Sequence, residues 1–189
     1  MKKKLVSILI SNYNKSKYIG RCLRSCLRQD YKNFEIVFVD NNSTDNSLKV
    51  LKKYKKVKIL KTKEKRTYPA INQINAIKLG LKSCKGEIIF LLDSDDFFKK
   101  QKLSKILNYF KEFRHKHLFC DTPKKFFSRN EIKKFNIKRK KNLLIWPTIL
   151  PTSCIAVKKF FLKECLNRVF IKENFHQHRC FYVYCKFCW

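Results

Sequence analysis

Asp93-Ser94-Asp95-Asp96 puts three carboxylates into four residues. Like charges this close repel, so the arrangement is costly unless solvent, helix N–H groups or a cation offsets it. A hard divalent cation with oxygen ligands and open coordination positions would do so and could grip a substrate diphosphate. For an isolated Asp-x-Asp the plainer reading is an exposed turn capping a helix that begins near Phe97. Here the carboxylates follow Ile88–Leu92, the most apolar run of the chain, which favours a site at the end of a buried strand. Asp40-Asn41-Asn42-Ser43-Thr44-Asp45 is a second polar strand end, where a carboxylate can accept hydrogen bonds from a ribose or a base N–H. Ser43 to Asp45 also suit the N-cap of a following helix, and both readings can hold together. Asn12-Tyr13-Asn14 offers an aromatic face and amides to a nucleobase, or a turn with one half-buried tyrosine.

The elements that would position these residues are legible as alternating periods. Val6–Ile10, Glu35–Val39, Val57–Leu60 and Glu87–Leu92 read as strands, three of them delivering the polar groups above. Between them, Tyr18, Ile19, Cys22, Leu23, Cys26 and Leu27 recur at helical spacing. So do Leu48, Leu51 and Tyr54, and then Ala70, Ile71, Ile74, Ile77 and Leu81, with Gly86 as punctuation. Leu103, Ile106, Leu107, Phe110 and Phe113 form a further stripe. Strands alternating with helices imply βαβ crossovers and a mainly parallel sheet covered on both faces, with ligands beyond the carboxyl ends of the strands. After residue 115 the rhythm weakens. Phe119 to Asp121 suits a strand end, Lys124–Lys141 is basic with interspersed aromatics, and Leu143–Pro151 suits an irregular cleft cover. Cys154–Val157 reads as a strand and Lys158–Val169 as a helix.

Composition bounds the function classes. A chain of 189 residues with 44% hydrophobic and 14% aromatic residues is folded and sized for one domain, despite 45 basic against 14 acidic residues and a net charge of +31. The charge is carried by 36 Lys and 9 Arg, a bias that AT-rich coding would also produce. It attracts anionic lipid headgroups, nucleic acid or phosphorylated substrates without choosing among them. Nine cysteines, an odd count with no convincing secretory segment, read as reduced thiols in a cytoplasmic protein. No apolar run approaches the ~18 residues of a membrane span.

Val6-Ser-Ile-Leu-Ile-Ser-Asn-Tyr-Asn14, Ile36-Val-Phe-Val-Asp-Asn-Asn-Ser-Thr-Asp45 and Lys85-Gly-Glu-Ile-Ile-Phe-Leu-Leu-Asp-Ser-Asp-Asp96 together resemble glycosyltransferase family 2 in order and spacing. The resemblance implies a GT-A (Rossmann-like) α/β fold and transfer of a sugar, with inversion, from a UDP- or GDP-linked donor to a glycan or lipid-linked acceptor. It implies that Tyr13 and Asp40 contact the base, and that Asp93 lies on the ribose or metal side. Asp95, with Asp93, would hold Mn²⁺ or Mg²⁺ on the diphosphate. The implied donor set extends to Asn12, Asn14, Asn41, Ser43, Asp45 and Ser94, and to Arg66 or Lys65 as a cation after the third strand. The implied setting is cell-envelope polysaccharide or lipid-linked glycan synthesis in the cytoplasm, with the inner membrane face as an alternative.

The general base is where the chain departs from the family. An acidic residue, often a Glu-Asp pair, is expected after a segment like Pro151–Val157, yet only Glu164 and Glu173 follow it, and neither sits in such a pair. Asp121 better suits an acceptor-side structural position, so the catalytic base is unassigned. The expected organisation is a donor-binding half over 1–115, an acceptor-side part over 116–173 that is incomplete, and an atypical tail over 174–189. That tail holds Cys185-x-x-Cys188 beside His176 and His178, which suits zinc weakly; a shifted reading frame near Asn174 accounts for it better. Alternatives of other classes are a catalytically impaired nucleotide-binding fragment and a basic nucleic-acid-binding module. The strand-end carboxylates speak against the second, and nucleic acid is not the expected partner. The Lys99–Lys105 and Lys138–Lys141 clusters suit peripheral docking on an anionic membrane, or simply a solvated face.

Overall fold

The apolar runs become the central strands of one sheet. The structure, a computed structural model, describes residues 4–63, 69–120, 124–126, 132–134 and 152–171. Val6–Asn12 (β1), Phe34–Asp40 (β2), Val57–Lys61 (β3) and Ile88–Asp93 (β4) are parallel. Leu118–Cys120 (β5) and Ile155–Lys158 (β8) complete a sheet of order β3-β2-β1-β4-β8-β5, in which β8 runs antiparallel to both its neighbours. Lys124–Phe126 (β6) and Ile132–Lys134 (β7) form a separate antiparallel pair within the stretch read as merely basic.

Alternation along each strand divides the core into two layers. Ile8, Ile10, Phe38, Phe90 and Leu92 meet Ser16–Leu27 (α1), Ser47–Leu51 (α2) and Lys102–Glu112 (α4) on one face. Leu9, Val37, Val39, Ile89 and Leu91 meet Pro69–Ser83 (α3) and Lys159–Ile171 (α5) on the other. In α1 the stripe is as the spacing demands, with Ile19, Cys22, Leu23 and Cys26 buried.

Three local expectations are corrected. The helix carrying Leu48 ends at Leu51, so Tyr54 packs on the core from outside it. Residues 97–101 form no helix, and α4 starts at Lys102. In α3 the seam runs through Asn72, Ala76, Ile77, Gly80 and Leu81, leaving Ile71 and Ile74 only half-buried. Small residues let this helix lie close to the sheet: a Cβ at Gly80 would stand 2.2 Å from Leu9 Cδ1 and 2.8 Å from Val39 Cγ2.

Strand order now fixes where a ligand belongs. From β1 the chain proceeds outward to β2 and β3, then returns to place β4 on the other side of β1. That reversal opens a crevice at the carboxyl ends of β1 and β4, the place where open α/β sheets receive ligands.

Candidate functional site

The last two residues of β1 face opposite neighbours. Asn12 is in register with Asp40 on β2, and Ser11 with Asp93 on β4. Asn12 Nδ2 donates to Asp40 Oδ1 at 2.8 Å, and Ser11 Oγ donates to Asp93 Oδ1 at 3.2 Å. One strand tip therefore braces both aspartates. Asp40 is fully buried; Oδ1 also accepts the Ser43 hydroxyl at 2.6 Å, and Oδ2 accepts the Ser43 N–H at 3.0 Å. The Asn12 amide is oriented by these acceptors, which leaves its buried Oδ1 without a hydrogen-bond partner.

The loops after β1 and β2 are stitched together. Asn14 and Asn42 adopt left-handed backbones (φ 52° and 55°), which asparagine tolerates better than most residues. Asn14 N–H donates to Ser43 Oγ at 3.0 Å, while Thr44 N–H donates to Asn14 Oδ1 at 2.8 Å. Asn41 is buried, its side-chain oxygen accepting the Thr62 hydroxyl at 2.7 Å. Asp45 accepts the Ser16 N–H at 2.9 Å and the Ser47 N–H at 2.9 Å, bracing the starts of α1 and α2 together. Partial desolvation works to raise its carboxyl, but the hydrogen bonds from Ser47 and Ser16 outweigh it and hold the group at about 2. Tyr13 stands more open, at 36% exposure.

On the β4 side the three carboxylates turn to three different partners. Asp93 Oδ1 accepts Gln73 Nε2 at 2.7 Å, and burial, reinforced by the charges of Asp96 and Asp95, pushes the group up to about 6 against the Ser11 and Gln73 hydrogen bonds. Ser94 is buried, its N–H on the Ser11 carbonyl at 3.2 Å. Asp96 Oδ2 accepts the Ser153 hydroxyl at 2.6 Å, and Ser153 Oγ accepts the Asp93 N–H at 3.0 Å. Asp95 Oδ2 pairs with Lys15 Nζ at 2.7 Å, with the two side chains 38% and 42% exposed.

Among the described residues no group of three His, Cys, Asp or Glu side chains is arranged to hold a metal ion. The oxygen donors at Asp95 nonetheless fit a hard cation of the Mg²⁺ type, which takes one or two carboxylates and completes its shell with substrate phosphates and water. Asp95 is solvent-facing and already holds a positive charge, the Lys15 ammonium.

The polar strand end read from the sequence opens at Ser11, but the reading did not single out Lys15, Gln73 or Ser153. Lys15 directly follows the Asn12–Asn14 motif and was in principle visible. Gln73 and Ser153 reach Asp93 across 20 and 60 residues, and no local signal marks them. Arg66, Lys65, Asp121, Glu173, the 135–151 segment and the 174–189 tail lie outside the described residues.

Helices on both faces of a mainly parallel sheet, with polar strand ends at its switch point, define a Rossmann-like α/β protein. Residues 7–170 match the family model for Glycosyl transferase family 2, and the chain belongs to that family. It is 36% identical over 124 residues to the UDP-Glc:alpha-D-GlcNAc-diphosphoundecaprenol beta-1,3-glucosyltransferase WfaP of Escherichia coli, covering 66% of this chain and 44% of that protein. To the poly(ribitol-phosphate) beta-N-acetylglucosaminyltransferase TarP of Staphylococcus aureus it is 35% identical over 113 residues, 58% of this chain and 34% of that protein. The crystal structure of S. aureus TarS 1-349 in complex with UDP-GlcNAc superposes with a TM-score of 0.65 at 23% identity, covering 86% of this chain and 47% of that one. The mannosyltransferase PcManGT from Pyrobaculum calidifontis, in complex with GDP-Man and Mn²⁺, gives 0.55 at 20% identity over 64% of this chain and 36% of that one. These neighbours establish the GT-A fold. The chain spans less than half the length of these curated relatives. No helix among the described residues is long and apolar enough to cross a membrane.

Proposed function

We propose that this chain forms the donor side of an inverting glycosyltransferase that moves a sugar from a UDP- or GDP-linked donor to a glycan or lipid-linked acceptor. The observation that carries the reading is the β1 tip, whose adjacent residues Asn12 and Ser11 hold Asp40 on one side and Asp93 on the other. A nucleotide laid across that tip meets an anchor for its base and an anchor for its ribose and diphosphate a single strand apart. Tyr13 supplies an aromatic face to the base, and Asp40, buried with its carboxylate on Ser43 and Asn12, holds the loop that borders the base. Asn14, Asn41 and Asp45 shape the loops around it, and Arg66 adds a cation to the nucleotide. Asp93 and Ser94 border the ribose.

Mn²⁺ or Mg²⁺ on Asp95, with Asp93 behind it, would stabilise the negative charge that grows on the departing diphosphate. The chain's own part in that step is to hold Asp95 at the crevice, which Arg21 does by donating from Nη2 to the Asp95 carbonyl at 2.7 Å. Inversion requires the acceptor hydroxyl to attack from the face opposite the leaving group and to lose its proton to a base, which we do not assign. Residues 1–115 serve as the donor half, 116–173 as acceptor side and 174–189 as an atypical tail. A setting at the inner face of the cytoplasmic membrane suits the basic surface and a lipid-linked acceptor.

Calorimetry tests the reading. Asp95→Ala should abolish the metal-dependent part of UDP- or GDP-sugar binding, and unchanged binding overturns the site. Asp40→Ala should weaken nucleotide binding ~10–100-fold with or without metal, the loss expected for a buried charge-assisted hydrogen bond. Retained affinity would remove Asp40 from the pocket.

A further inference from the structure

Lys15 Nζ sits 2.7 Å from Asp95 Oδ2, joining the loop after β1 to the loop after β4. Both backbones are independently fixed. The Lys15 carbonyl accepts the N–H groups of Tyr18 at 2.8 Å and Ile19 at 3.3 Å, and the next residue, Ser16, is held by Asp45 at 2.9 Å. Asp95 is held through its carbonyl by Arg21 at 2.7 Å. What remains free to rearrange is the ammonium on its four-carbon stem and the carboxylate it covers. The other two carboxylates of the loop have partners elsewhere, Asp93 on Ser11 and Gln73 and Asp96 on Ser153. The Lys15 ammonium is thus placed on the one carboxylate of the loop that has no other side-chain partner among the described residues and is left to receive a divalent ion.

We propose that Lys15 is the internal counter-cation of Asp95, competing with the divalent ion for that carboxylate and transferring to the donor's diphosphate when ion and nucleotide arrive together. The inference rests on the donor-site reading above and deepens it. Lys15 occupies Oδ2, and an ion arriving at the same carboxylate meets the repulsion of that ammonium at short range, so the two compete for it. A displaced ammonium in a crevice that binds a diphosphate gains phosphate oxygens as new partners, a contact that Lys makes as a compact point charge. The consequence is synergy. The ion binds weakly alone, because it must break the Lys15–Asp95 pair, and more tightly with nucleotide, because the nucleotide takes up the released lysine.

The test uses the full chain, with Mn²⁺ binding followed by the loss of free aquo-Mn²⁺ paramagnetic signal, alone and with UDP or GDP. Lys15→Gln should bind Mn²⁺ alone about two- to fivefold more tightly, the range for releasing a partly exposed ion pair. The tightening that nucleotide produces in the unaltered protein should shrink by at least the same factor. Lys15→Arg keeps the competing charge and should bind Mn²⁺ alone as the unaltered protein does. Lys17→Gln removes an equal charge from the exposed side of α1 and should also leave binding unchanged. If Lys15→Gln matches Lys17→Gln while Mn²⁺ binding is still lost in Asp95→Ala, the role of Lys15 is overturned and the donor site stands. Should Mn²⁺ binding survive in Asp95→Ala, both fall.

Discussion

Asp93 shows how the site trades stability for chemistry at the level of one side chain. Its folded carboxyl titrates at about 6 against an ordinary 3.8, so the folded state binds a proton that the unfolded chain has already released between those values. The sign follows: the contribution is fully present below about pH 4 and is lost as pH rises through about 6. At neutral pH the charged, partly buried carboxylate costs on the order of 2–3 kcal/mol. Asp93→Asn keeps an acceptor for Gln73 and Ser11 and discards the charge. In metal-free buffer its melting temperature should match the unaltered protein near pH 4 and exceed it by several degrees at pH 7, with nucleotide-sugar binding reduced. A thermal-melt series across this range decides it, since a pH-independent difference removes burial as the cause.

At the level of elements, α1 and the turn that follows it support the crevice by gripping the irregular segment that follows Asp96. Gln29, fully buried one turn beyond Ser25, donates from Nε2 to the Lys99 carbonyl at 2.8 Å and accepts the Leu103 N–H at 3.1 Å. Ser25 Oγ accepts the Phe98 N–H at 3.0 Å. Gln29→Leu fills the same space but leaves the buried Leu103 N–H without its acceptor and takes one of two donors from the Lys99 carbonyl, which keeps the Lys102 N–H. It should destabilise the fold by about 2–4 kcal/mol in denaturant melts, and a cost near zero would mean the segment stands without the helix. The sequence conveyed α1 and the strands well because 3.6-residue spacing and continuous apolar runs are local signals. It conveyed Asp40 and Asp93–Asp96 as strand ends for the same reason. The 97–101 segment is not a helix because its order comes from Gln29 and Ser25, 70 and 73 residues from their partners, and not from its own periodicity. The seam of α3 was shifted because close approach selects Gly80 and Ala76, which an apolar stripe underweights. The antiparallel direction of β8 was not legible because no pattern within Ile155–Lys158 encodes direction.

For the molecule as a whole, the net charge of +31 acts on stability and on binding with opposite signs. With 45 basic residues against 14 acidic ones, most of the positive charge is uncompensated by close pairing whatever the pairs formed. Self-repulsion of that size opposes compaction, and salt relieves it as the Debye length falls from ~30 Å at 0.01 M to ~10 Å at 0.1 M. The same field raises the local concentration of a polyanionic donor, and salt weakens that attraction. Raising NaCl from 20 to 300 mM (on the order of the span over which screening acts) should therefore raise the melting temperature while weakening UDP or GDP binding. Uridine or guanosine, which carry no phosphate, should bind with little dependence on salt. A melting temperature that falls with salt would mean the charges are not repelling one another. Nucleoside and nucleotide responding alike would mean that the surface charge does not assist the donor.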